Sequence, residues 1–129
     1  MITRYRVDSV ECKRNIPPDK IEEYRLDYNI QLGERKINEK ERVLEIPYSF
    51  TISYLEGIGH IRVDGEIYYS DTLKKLKDID ENWNEKKKIQ KQVVNTIFRN
   101  ILAMIFDISK HMGLPSPVVL PSFGPEEGG

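Results

Sequence analysis

The residue pattern predicts an α+β domain with about four antiparallel strands, followed by helices on one face. Two observations carry this. From Tyr24 to Tyr69 apolar and polar residues alternate, the mark of strands with one wet face. From about Asn84 to Met112 the apolar spacing changes to steps of three and four, the mark of a helix. The 129 residues suit a single domain over 1–129.

In chain order, Met1 to Asn15 predicts a first strand. Tyr5, Val7, Ser9 and Glu11 alternate there with Arg4, Arg6, Asp8 and Val10. Ile16-Pro17-Pro18-Asp19 is a break. The second strand is cleaner, with Tyr24, Leu26, Tyr28, Ile30 and Leu32 against Arg25, Asp27, Asn29 and Gln31. Gly33 to Lys40 predicts an exposed turn. In the third strand Leu44, Ile46, Tyr48, Phe50, Ile52 and Tyr54 share a face, and Pro47 marks an edge or a bulge. Glu56-Gly57 reverses the chain into a fourth strand with Ile61, Val63, Ile67 and Tyr69, where Gly65 marks a bend or bulge. Short connections make neighbouring strands antiparallel. Asp71 is the expected cap of a brief helix carrying Leu73, Leu76 and Ile79.

The long helix is expected to start at an Asn84 cap and stop at Gly113. Ile89, Val93, Ile97, Ile101, Ile105, Ile108 and Met112 form one apolar row, and Val94, Phe98, Leu102 and Phe106 a second beside it. The helix would be roughly 40 Å long, and its stripe is wide enough for a sheet and an oligomer interface together. The run 114–124 contains Pro115, Pro117 and Pro121, so it is expected to be extended. Its Leu114, Val118, Val119, Leu120 and Phe123 are too apolar for a solvated tail and are expected to dock on the domain or a partner.

Charged residues make up 32% and nearly cancel, to a net of −1. That argues against a general nucleic-acid binder or a polybasic anchor. The polar N-terminus is not a signal peptide. The longest apolar run, Ile101 to Phe106, is too short to span a bilayer. One cysteine, Cys12, excludes an internal disulfide and fits a reducing, cytoplasmic setting. No phosphate loop, paired-cysteine metal motif or nucleophile elbow is present. No enzyme activity, cofactor or metal is therefore expected. His60 and His111 read as surface or structural residues, and Cys12 as an unactivated strand cysteine. Asp78, Asp80, Glu81 and Glu85 read as a solvated helix junction. Lys86-Lys87-Lys88 reads as a solvated face ahead of a phosphate contact.

One resemblance is specific to the end of the chain. Asn95-Thr96-Ile97-Phe98-Arg99-Asn100, the rest of the helix, and Gly113-Leu114-Pro115-Ser116-Pro117-Val118-Val119-Leu120-Pro121-Ser122-Phe123 resemble the helix and following loop of the SecB family of export chaperones. Val43–Leu55 and Gly59–Tyr69, with Gly65 before Ile67 and Tyr68, resemble that family's central strands. The likeness spans about residues 43–123. It implies a four-stranded antiparallel sheet packed on one face by the long C-terminal helix, with a short preceding helix and a proline-rich apolar tail. It implies a dimer or tetramer, with Ile97, Ile101, Ile105 and Ile108 at the interface, and ATP-independent holding of unfolded or extended polypeptides. It also implies a groove lined by Tyr48, Phe50, Leu114, Val118, Leu120 and Phe123. Two departures stand out. The family's second helix and acidic tail have no counterpart before Gly129. The strand that would meet the SecA motor carries His60 and Arg62, so no SecA contact is expected. A dedicated-partner adaptor, such as an antitoxin chaperone, is the alternative on the same fold.

Overall fold

The computed structural model describes residues 1–117. Its strands are β1 (Ile2–Arg14), β2 (Arg25–Leu32), β3 (Lys36–Asn38), β4 (Val43–Leu55) and β5 (Gly59–Ser70). Helix α1 (Leu73–Glu81) and the 25-residue helix α2 (Lys87–His111) follow. The α+β class is as the sequence predicts. The strands form one five-stranded antiparallel sheet in the order β1-β5-β4-β2, with β3 also on β4.

The fifth strand is β3, inside the stretch expected to be a turn. Leu32 lies opposite Tyr48 and Lys36 opposite Glu45, so the edge is split at Pro47. The Gly33 N–H donates to the Pro47 carbonyl at 2.8 Å. A ladder residue aims its N and O to the same side. The hydrogen-less Pro47 nitrogen therefore faces the gap, where it has no bond to give.

β1 runs as expected but changes face midway. Val7 pairs with Gly65 and Ser9 with Asp64, with a register shift between them. The extra residue is a bulge that turns the strand over. Val10 and Cys12, opposite Val63 and Ile61, join the face of Tyr5 and Val7, and Ser9 and Glu11 leave it. Gly65 itself is regular. A Cβ there would collide with the Arg6 carbonyl and the Tyr48 hydroxyl.

The core lies between one sheet face and the helices. Leu44, Ile46, Tyr48, Phe50, Ile52 and Tyr54 of β4 are buried there, with Ile61, Val63 and Ile67 of β5. Leu76 and Ile79 of α1 and Val93, Ile97, Phe98, Ile101 and Ile105 of α2 close it from above. Thr72, rather than Asp71, caps α1 by accepting from the Lys75 N–H, because Asp71 turns back onto the Thr72 N–H. Asn84 does not cap α2. A 3₁₀ turn, Trp83–Glu85, precedes it, and the helix starts at Lys87 without a side-chain cap.

The other end of α2 is the best-made junction in the fold. Gly113 has φ +70°, Leu114 N–H donates to the Ser109 carbonyl and Gly113 N–H to that of Lys110. This is a Schellman closure. Arg14 Nε donates to the Met112 carbonyl at 2.7 Å and Nη1 to that of Ile16. The guanidinium thus sits on the negative end of the helix dipole. Among the described residues no helix is long and apolar enough to cross a membrane.

Candidate functional site

β2 and the second apolar row of α2 meet along one side of the core. Tyr28 of β2 lies 6.4 Å from Phe98, edge to face, and both rings reach Phe50, at 6.3 and 6.1 Å. Edge-on contacts of this kind suit the ring quadrupoles and hold α2 over β2. Leu26, Tyr28, Ile30 and Leu32 are only half-buried, as is Leu102, and Phe106 is 36% exposed. The described chain therefore leaves an apolar strip on the helix side of β2.

The residues after α2 lie at one end of this strip. Leu114 is buried and packs at Gly59. The Tyr54 hydroxyl donates to the Pro115 carbonyl at 2.7 Å, and the Tyr24 hydroxyl to that of Ser116 at 3.3 Å. Tyr24 and Tyr54 are themselves 6.1 Å apart. These carbonyls lie outside any strand, and the two phenols supply their hydrogen-bond partners. Burial pushes the Tyr54 hydroxyl well above the ordinary phenol range, so it stays a donor.

The same strip has a backbone side. Gly33 N–H points at β4, so by alternation Leu26, Ile30 and Leu32 aim their N–H and C=O groups away from β4. β2 is unbulged over its length. The opposite edge, β1, is broken by two register shifts and lined with Arg4, Arg6, Asp8, Glu11 and Lys13. Such edges resist strand addition; β2 has no register shift and carries fewer charges, Arg25 and Asp27.

The solvent face of the sheet is occupied by its own ion pairs and hydrogen bonds. Arg6 meets Asp8 at 2.6 Å and Glu66 at 3.2 Å, Arg62 meets Asp64 at 3.1 Å, and His60 meets Glu11 at 3.1 Å. The hydrogen bond from Arg6 holds the Asp8 carboxyl below its usual range. Burial pushes the Cys12 thiol up, which disfavours a thiolate nucleophile. Among the described residues no group of His, Cys, Asp or Glu is placed to hold a metal ion.

Several site residues fall elsewhere than the sequence placed them. Ile97, Ile101 and Ile105 are sealed in the core at 0, 0 and 1% exposure. They face the sheet of their own chain and present no surface to a partner; Ile108 is half-buried. Tyr48 and Phe50 are also core, at 3 and 0%. Tyr48 crosses the missing Cβ of Gly65, stacks on Tyr5 at 6.0 Å and donates to the Arg6 carbonyl. Leu114 lies beside the strip, while Val118, Leu120 and Phe123 fall outside the described residues. The strip-forming residues Leu26, Tyr28, Ile30, Leu102 and Phe106 were visible as apolar positions. Their openness was not, because burial within a stripe depends on where the helix crosses the sheet.

No protein-family model matches the chain, and no curated protein matches it in sequence. Among solved structures that resemble it are two. One is the SecB-like chaperone Rv1957 of Mycobacterium tuberculosis, in complex with a peptide from the HigA1 antitoxin. It has a TM-score of 0.61 at 8% identity, over 93% of this chain and 85% of that one. The other is a protein of unknown function from Streptococcus agalactiae, with a TM-score of 0.49 at 10% identity, over 93% and 94% of the two chains. With its split-edged antiparallel sheet and long C-terminal helix, the chain has a SecB-like fold.

Proposed function

We propose that this protein binds extended, non-native polypeptide without ATP, as a SecB-like holdase. The observation that carries the reading is the half-exposed apolar strip of Leu26, Tyr28, Ile30 and Leu32, met by α2 at Phe98, with half-buried Leu102 and exposed Phe106 further along the same helix row. It lies on a strand whose outer backbone groups point outward. An extended client would add its backbone to the β2 edge and set alternate side chains on the strip. Apolar contact without a shaped polar pocket tolerates many sequences. Leu114 anchors one end, and Val118, Leu120 and Phe123 continue the proposed lining. The working unit in this reading is a homodimer or tetramer in the cytoplasm.

A second reading has its own support. The Mycobacterium neighbour was solved with an antitoxin peptide, so an adaptor for one dedicated partner fits the same strip. Light scattering of unrelated denatured clients separates the two. Suppression of aggregation at near-stoichiometric ratio, without ATP, is the holdase result. A well-folded protein that suppresses none of them points to the dedicated partner.

The strip is tested by Phe106→Asp, at an exposed helix position, with a labelled apolar peptide followed by anisotropy. Burying a phenylalanine contributes roughly 1.5–3 kcal/mol, so binding should weaken about tenfold or more. Unchanged affinity would place the client elsewhere.

A further inference from the structure

The outer face of α2 is chemically one-sided. No Asp or Glu occurs between Glu85 and Asp107. Lys87, Lys88, Lys91, Gln92, Arg99 and Asn100 are all exposed. Lys86 is neutralised by Asp78 at 2.7 Å, whereas Lys87, Lys88, Lys91 and Arg99 make no ion pair among the described residues. The whole chain carries a net of −1, so this concentration of cations is matched by excess negative charge elsewhere. A hollow of about 290 Å³ opens on the same face against the start of β1, lined by Met1, Ile2, Gln92, Asn95, Thr96 and Arg99. Its side chains offer amide, hydroxyl and guanidinium groups beside two apolar ones, and no carboxylate.

We infer that the outer face of α2 docks an acidic polypeptide segment, at a surface separate from the apolar strip of β2. Lys87, Lys91, Asn95 and Arg99 recur every four residues, a rise of about 6 Å per step on a helix. Alternate side chains of an extended chain recur at about 6.6–6.8 Å, and the four-residue row winds about 40° per step, so neighbouring donors meet neighbouring same-side carboxylates where the segment follows that winding. Lysines and arginine gain from carboxylates in the charge-assisted bonds that surface cations otherwise give to water. The alternatives fit less well. Phe106, exposed two turns beyond Arg99, is the one exposed aromatic of the helix, a single ring where base stacking uses several. A second copy laid across the face would oppose cation to cation, which a self-complementary interface does not tolerate.

The test uses the full chain and three labelled probes: an extended glutamate-rich peptide, an oligothymidine of equal charge and the apolar peptide above. Anisotropy is read at low and at about 0.5 M salt, where exposed charges are largely screened. The acidic peptide should bind at low salt, weaken about tenfold or more in high salt, and weaken similarly in the double variant Lys91→Glu, Arg99→Glu. The apolar peptide should bind that variant unchanged, so failure here is distinct from failure of the holdase reading. No binding of the acidic peptide overturns the inference. Tighter binding of oligothymidine overturns it in favour of a nucleic acid. A fall in particle mass on charge reversal, read by light scattering without any peptide, overturns it in favour of a second copy.

Discussion

At the residue scale, the packing turns on a few side chains that use space left by glycine. The Tyr48 ring lies where the Gly65 Cβ would be, and its hydroxyl donates to the Arg6 carbonyl at 3.1 Å. Gly65→Ala should therefore destabilise by about 1–3 kcal/mol, the range for overpacking, measured by urea unfolding. Tyr48→Phe in the same background should recover only a small part of the loss, because it removes the hydroxyl but leaves the Arg6 carbonyl, the nearest obstruction, in place. The phenols also give a pH dependence. Burial above all raises the Tyr48 hydroxyl, and burial first, then the nearby Cys12, raises that of Tyr54, both well above the ordinary phenol range. A raised folded-state value favours the protonated form, so this stability is fully present below the unfolded value. It is lost as pH climbs above about 10 towards the folded value. Urea midpoints should fall from pH 8 to pH 11, and less steeply in Tyr54→Phe. An equal fall in both proteins would assign the alkaline loss to other groups.

At the element scale, α2 is secured at its end rather than at its start. It begins without a side-chain cap and finishes in a Schellman closure clamped by Arg14 from β1. Arg14→Ala removes charge-assisted bonds to two carbonyls and should cost about 1.5–3 kcal/mol. Amide exchange should quicken chiefly in the last turn of α2. Exchange quickened evenly over the whole chain would assign Arg14 a global role instead. Gly113→Ala should be costly as well. It strains a φ of +70° and brings Cβ to 2.7 Å from Pro18 Cγ.

At the scale of the whole molecule, the two apolar rows of α2 divide the work. The row with Ile97, Ile101 and Ile105 closes the core, and the second row meets β2 at Phe98 and runs outward to exposed Phe106. Replacing Ile101 and Ile105 together by Glu puts two charges where nothing can pair them, at several kcal/mol each. The expected result is loss of the cooperative thermal transition. A folded monomer produced from an oligomer would instead place this row at an interface.

Much of this fold was legible in the sequence. Alternation in Tyr24–Leu32 and Leu44–Tyr54 is a local property, since successive strand side chains must point to opposite faces. The same holds for the three- and four-residue spacing of α2 and for Gly113 as its stop, because the left-handed turn there suits glycine. What the sequence could not decide depends on residues distant in the chain. The β1 bulge turns Cys12 onto the core through pairing with β5, with Val10 on the same side but 41% exposed. The edge splits because Pro47 of β4 offers no donor to the strand beside it. Asn84 is left out of the cap by a turn in which Lys86 reaches back to Asp78. The half-exposed strip exists because α2 crosses the sheet with Ile101 down and Phe106 out. That choice is made by tertiary packing, since both rows satisfy the helix equally well.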